Sequence, residues 1–315
     1  MEKADSAPTP LAWPAGKRFG FTIFDDPDSQ TWEAGREVYA LLRDLGFRTT
    51  KGLWPMGPIR TPSDHGLTCA HPGYSAWIRS LVQSGFEAGY HNATSHTCTR
   101  EETARGLDLF RSQFGAYPRT MAQHYNCDEN LYWGEGRLSG WRRTAYNLFT
   151  RYRNHDKFFG HVEGHPYYWG DLCRDRIEYC RSFTFKEINT RKAWPLFPYH
   201  DPVRPLVRLW FPSSEGSNKN RFCSTLSEAN QERLEEEEGL CILYTHFGHG
   251  YYDGALDKRF ISLMERLAKR PGWFVPVGPV LDFMRSQEAP VILNDGLRAK
   301  LERRWLWHKI FYGTA

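Results

Sequence analysis

Four residues have the types and positions that metal-assisted hydrolysis needs. Asp25 and Asp26 follow the aromatic, β-branched run RFGFTIF, His91 follows FEAGY, and His246 follows the apolar run LCILYT. Carboxylate with imidazole is the ligand set of divalent-metal hydrolases, where the ion polarises a carbonyl and acidifies a water. A carboxylate left over from ligation can take the proton from that water, and an imidazole across the site can give one to a departing amine. Taken singly, each residue has a plainer reading. DDPDS is good turn and helix-cap chemistry. Of the twelve histidines, any one is more often structural or on the surface than a ligand. His65, His71, His155, His161, His200 and His308 belong to that class. It is the combination that points to catalysis.

The elements around these residues alternate. Arg18 to Phe24 reads as a strand, Thr31 to Leu45 as a helix with Gly46 just past its end, and Arg48 to Trp54 as a strand again. The pattern continues with a helix over Tyr74 to Ser84, a strand over Phe86 to Tyr90, a helix over Arg100 to Phe114 and a strand near Thr120 to Gln123. From about 125 to 235 the pattern is less regular, with strands at Ser182 to Phe185 and Val207 to Phe211 and a charged helix from Leu226 to Glu238. The acidic run Glu235 to Glu238 reads as the solvated end of that helix. Regular alternation resumes with the buried strand GLCILYTHFG, a helix over Leu256 to Lys269, a short strand over Trp273 to Val277 and a helix over Pro279 to Ser286. Alternating strands and helices imply an α/β fold with a mostly parallel sheet. About seven strands allow a barrel, whose working residues stand at the C-terminal strand ends.

Composition narrows the class. Aromatic residues make up 15% of the chain, while 25% charged residues and a mean hydropathy of −0.62 exclude a membrane-embedded protein. A net charge of +4 over 315 residues does not argue for nucleic acid. The N-terminal MEKADSAPTPLAWPAGKR has no apolar stretch of the secretory kind, so the expected location is the cytoplasm. The seven cysteines form no CxxC pair and read as free thiols. The expected organisation is an extended tail over 1–17, a catalytic domain over 18–290, and a basic and aromatic helical segment over 291–315. That last segment docks on the body by default, with a partner or a membrane surface as alternatives.

The chain resembles the polysaccharide deacetylases of the NodB-homology kind, carbohydrate esterase family four. FTIFDDPD is similar to their first motif, LYTHFG to their last, and PGWFVPVGPVLDFM to their closing strand and helix. The resemblance implies a NodB-like distorted (β/α) barrel, with Asp25 as general base, Asp26 as a metal ligand and His246 as general acid. Their second motif supplies two metal-binding histidines, usually four residues apart; GYHNATSHT offers His91 and His96, five apart. In a regular helix that spacing leaves two side chains about 140° apart, so the turn must be widened if both bind. His124, in TMAQHYN, is the alternative ligand or a substrate contact. The family's third motif has no recognisable counterpart, and PRTMAQHYNCDENLYWG stands in its place, with Asn126 as a candidate substrate contact. YYWGD loosely matches the fourth, which makes Trp169 and Asp171 further pocket-lining candidates.

The implied cofactor is one divalent metal, with zinc the best match to imidazole and carboxylate. The implied reaction removes an N-acyl group, acetyl first among them, from an amino sugar of an intracellular precursor, nucleotide-linked or lipid-linked. Another amide hydrolase on the same fold, such as a deformylase, is one alternative. A catalytically silent glycan-binding relative is the other.

Overall fold

The computed structural model describes residues 10–14 and 16–315. Its strands are β1 (Phe19–Asp25), β2 (Thr50–Leu53), β3 (Glu87–Tyr90), β4 (Thr120–Met121), β5 (Tyr179–Phe185), β6 (Tyr199–His200), β7 (Leu209–Ser214), β8 (Leu240–Thr245), β9 (Gly272–Trp273) and β10 (Val291–Ile292). The helices are α1 (Trp32–Asp44), α2 (Pro72–Gln83), α3 (Arg100–Phe114), α4 (Trp141–Phe149), α5 (Gly170–Arg176), α6 (Thr190–Ala193), α7 (Lys219–Thr225), α8 (Glu228–Glu236), α9 (Lys258–Ala268), α10 (Val277–Gln287) and α11 (Asp295–Tyr312).

Seven of these strands close into a parallel barrel in the order β1-β2-β3-β4-β5-β7-β8. Closure comes from β8, which pairs with β1 from Gly20 opposite Leu240 to Asp25 opposite Thr245 and meets β7 at Ser214 opposite Leu243. β6 pairs antiparallel with β7, β10 extends β6, and β9 lies against the start of β1. This is the NodB-like barrel architecture, surrounded by helices.

Every residue of β1 is buried, because one face of the strand meets the barrel interior and the other the helical layer. Phe21 packs outward with Phe47 and Phe274, whereas Phe24 points inward towards Phe211. The narrow interior accepts Phe24 because β3 carries Gly89, where a Cβ would lie 2.9 Å from the Phe24 ring. The helix of the first βα unit follows its pattern: Thr31 caps α1 by accepting from Ala34 N, and Ala34, Val38, Tyr39 and Leu42 bury its inner face. α3 begins with a Thr99–Glu102 capping box and ends at Gly115 in the left-handed region.

The irregular middle of the sequence contains the short helices α4, α5 and α7. Of the expected tail, residues 1–9 and 15 lie outside the described residues. Trp13 stacks on Phe283 and donates to the Glu238 carbonyl. All seven cysteines are free and buried. Among the described residues no helix is long and apolar enough to cross a membrane.

α11 is docked rather than projecting. Its Glu302 accepts from Arg142 Nε at 2.7 Å, Arg204 Nη2 at 2.9 Å and Ser139 N at 2.9 Å, with the carboxylate fully buried. Trp305 packs on Phe183 of β5, at 5.0 Å between ring centroids. Glu302→Ala removes the anion that balances two arginines, and breaking a buried pair in this way costs ~3–5 kcal/mol. The expected outcome is a lowered melting temperature, with new tryptic cleavage inside 295–312.

Candidate active site

Adjacent strand residues point to opposite faces, and this separates the two carboxylates at the end of β1. Asp25 faces outward beneath α1. It pairs with Lys51 Nζ at 2.9 Å, and its oxygens accept from Tyr39 Oη at 3.1 Å, Gln30 Nε2 at 3.3 Å and Phe247 N at 2.8 Å. Lys51 is its direct neighbour on β2. Asp25 is therefore a filled structural anion, and the structure does not bring it to the barrel mouth as the expected general base.

Asp26 faces inward. Arg181 of β5 grips it with two bonds, Nη1 to Oδ1 at 3.1 Å and Nη2 to Oδ2 at 2.6 Å. The guanidinium itself rests over Tyr244, 4.2 Å from the ring centroid. Asp28, two residues further along, supplies the carboxylate beside the histidines. The chain reaches it through Pro27, and the Asp28–Gln30 turn packs on the loop after β8 only because residue 248 is glycine. A Cβ there would lie 2.4 Å from the Asp28 carbonyl oxygen.

His91 directly follows β3, and His124 stands just beyond β4. His91 Nε2 lies 3.2 Å from His124 Nδ1 and 3.3 Å from Asp28 Oδ2, while His124 Nδ1 lies 3.1 Å from Asp28 Oδ1. All three residues are buried. Asp28 Oδ2, which faces the two rings, has no hydrogen-bond partner, and neither has His91 Nδ1, which lies across its ring 3.6 Å from Asp26 Oδ1. Ligand atoms about 2.0 Å from a tetrahedral ion stand about 3.3 Å apart. The three spacings match, and the residues fit a divalent metal. Burial alone would push the Asp28 carboxyl up, but contacts with and charge on His124 and His91 outweigh it and hold the group well below the usual range. Burial draws His124 down, against the pull of the Asp28 carboxylate.

Supporting contacts fix this triad. Ser63 Oγ lies 2.9 Å from His124 Nε2. Asn92, in the left-handed region at φ 60°, turns the chain after His91. Its Oδ1 accepts from His124 N, while its Nδ2 donates to Glu129 at 2.8 Å and Asn130 at 2.9 Å. Burial pushes the Glu129 carboxyl up to about 7.

His96 takes no part in the triad. Its Nε2 accepts from Ile59 N at 3.1 Å, so Nδ1 carries the proton towards Thr97 O at 2.9 Å. Both ring nitrogens are occupied in the loop that leads to α3. Nor do Trp169 and Asp171 line the cleft. The Trp169 indole is buried and donates to Glu129 O at 2.7 Å, and Asp171 forms a two-bond pair with Arg100 at 2.6 and 2.7 Å. Asn126 does line it.

His246 follows β8, and its Nδ1 lies 2.6 Å from Ser217 O. A carbonyl only accepts, so Nδ1 is the donor and Nε2 is turned to the site, 3.9 Å from Asp26 Oδ2 and 3.8 Å from Asp28 Oδ2. The cleft above these groups encloses about 470 Å³ and is walled by Tyr125, Asn126, Trp133, Tyr146 and Trp305. Asp28 and Arg181 are the functional candidates missed from the sequence. Asp28 was readable only as cap chemistry, whereas Arg181, a charge inside the apolar strand YCRSFTF, was a visible anomaly.

No family model matches the chain, and no curated protein matches it in sequence. Solved structures do share its fold. A protein from Mycobacterium smegmatis assigned as a polysaccharide deacetylase superposes with a TM-score of 0.54 at 12% identity, covering 92% of this chain and 98% of that one. PuuE allantoinase gives a TM-score of 0.49 at 11% identity over 90% of this chain and 95% of its own. A polysaccharide deacetylase structure from Pseudomonas aeruginosa PAO1 gives 0.43 at 12% identity, with 96% of each chain covered. At this identity the likeness is one of fold: the barrel is that of the polysaccharide deacetylases.

If Asp25 anchors the barrel, Asp25→Ala should destabilise the protein by ~3–5 kcal/mol, because Lys51 is left buried without its partner. Adding Lys51→Met should recover most of that loss. Chemical denaturation of the two variants beside wild type measures both steps.

Proposed function

We propose that the protein is a metal-dependent amide hydrolase that removes an N-acyl group, acetyl first among them, from an amino sugar. The observation that carries this reading is the convergence of Asp28, His91 and His124, with the buried Asp28 Oδ2 left unpaired, beside a carboxylate held by arginine and an imidazole aimed at the same point. Asp28, His91 and His124 would hold the ion, with zinc the best match to one carboxylate and two imidazoles. Bound there, a divalent ion supplies Lewis acidity, polarising the acyl carbonyl and acidifying a water.

Asp26 takes the proton from the attacking water. Arg181 fixes the orientation of that carboxylate through a charge-assisted, two-bond contact. His246 acts on the other side of the reaction. With Nδ1–H committed to Ser217 O, a proton on Nε2 is directed into the cleft, where the departing sugar nitrogen takes it as the C–N bond breaks. The aromatic walls offer flat faces for a sugar ring. The substrate is read as a nucleotide-linked or lipid-linked precursor handled in the cytoplasm.

The test is release of free amine from N-acetylated amino sugars by zinc-loaded protein. Asp26→Asn should retain about one zinc per chain and lose about a hundredfold or more in kcat, as should His246→Ala. Asp28→Asn and His124→Ala should lose the zinc itself, whereas His96→Ala should keep both zinc and turnover. Wild-type protein that binds zinc at this site without hydrolysing any N-acyl sugar would leave a silent glycan-binding protein as the better reading.

A further inference from the structure

The cleft does not end at the metal-ligating cluster. It runs on to the underside of α11, where two cations line it: Arg137, at the end of the 3-10 turn Gly134–Arg137, and Lys309 of α11. Arg137 is only 9% exposed. Its guanidinium lies over the Trp133 ring, 3.4 Å from the centroid, with the Trp305 ring at 5.4 Å.

No carboxylate among the described residues pairs with this guanidinium. The acids that share its neighbourhood are already engaged, Asp201 by Arg204 and Arg298, and Glu302 by Arg142 and Arg204. Burial pulls Arg137 down to about 10 and Lys309 down to about 8, and the positive charge of Arg181 adds to the first effect and that of Arg137 to the second. Lys309 has a single neutral partner, Thr314 O at 2.7 Å. A buried cation without an anion is unfavourable. Here the buried Arg137 stands beside the half-buried Lys309, which the Glu215 carboxylate attracts without pairing, and both are open to the cleft that holds Asp26 and His246.

We infer that Arg137, assisted by Lys309, is a subsite for an anionic group, a phosphate or a carboxylate, carried by the acylated amino sugar. The planar guanidinium can give two parallel hydrogen bonds to either group. The inference rests on reading the cleft as an amino-sugar site and adds that the sugar is charged.

The experiment is calorimetric titration of the full chain with N-acetylglucosamine, N-acetylglucosamine 1-phosphate and N-acetylmuramic acid. Chelator is present throughout, so neither turnover nor a bound ion contributes to the heat. At least one charged sugar should bind about tenfold or more tighter than the neutral one, and which one does so separates phosphate from carboxylate. In Arg137→Met, with folding checked by circular dichroism, the advantage should fall below about twofold while Arg137→Lys keeps part of it. If Arg137→Met does not fold, Lys309→Met should reduce the advantage without removing it. Equal binding of all three sugars by wild type, or an advantage that survives in folded Arg137→Met or is untouched by Lys309→Met, overturns the proposal. Because nothing is hydrolysed in this measurement, its result stands apart from whether the deacetylase reading succeeds.

Discussion

The two-residue alternation of β1 sets both the stability and the chemistry of this barrel. The strand ends in two carboxylates, and its pleat sends Asp25 out towards Lys51 and Tyr39 and Asp26 in towards Arg181. The outward carboxylate ties β1 to β2, to α1 and to the loop after β8 through Phe247 N. Closure of the barrel by β8 then delivers His246 to within 4 Å of Asp26. A register slip of one residue would exchange these faces, burying the Asp26 carboxylate in the helical layer and leaving Lys51 without its anion.

Charge is arranged in two tiers above that strand. Close to the barrel mouth, Asp26 is matched by Arg181, whereas Asp28 faces histidines and keeps one oxygen without a hydrogen-bond partner, open to a cation. Further out, towards α11, the balance reverses, since Arg137 and Lys309 line the cleft and neither forms an ion pair with a carboxylate among the described residues. A metal at one end and an anionic substituent at the other would complete both tiers, and the Glu302 network that docks α11 holds the second in place.

Much of the barrel was legible because its strands are short apolar runs between amphipathic helices, and periodicity reports that directly. The stretch from 125 to 235 was poorly legible because α4, α5 and α7 have only nine, seven and seven residues, too short for a periodic pattern to stand out. Within the site, Asp26, His91 and His246 stand at the strand ends where the sequence puts them, although Asp26, expected as a metal ligand, is held by Arg181 and Asp28 stands beside the histidines instead. Asp25 was misjudged because a DD pair in sequence conceals that its members face opposite ways. The five-residue spacing of His91 and His96 already misfits a regular helix, and the chain after His91 turns through Asn92 in a left-handed conformation and carries His96 to Ile59. His124 falls beside His91 because β4 is the neighbour of β3, a fact of sheet order that spacing along the chain does not express.

The most direct test of the account is diffraction at the zinc absorption edge from crystals grown with stoichiometric zinc. The account predicts one strong anomalous peak per chain between Asp28, His91 and His124, with Asp26 held by Arg181 beside it. A peak placed instead on Asp25 or His96, or no peak in the cleft at full zinc loading, would contradict it.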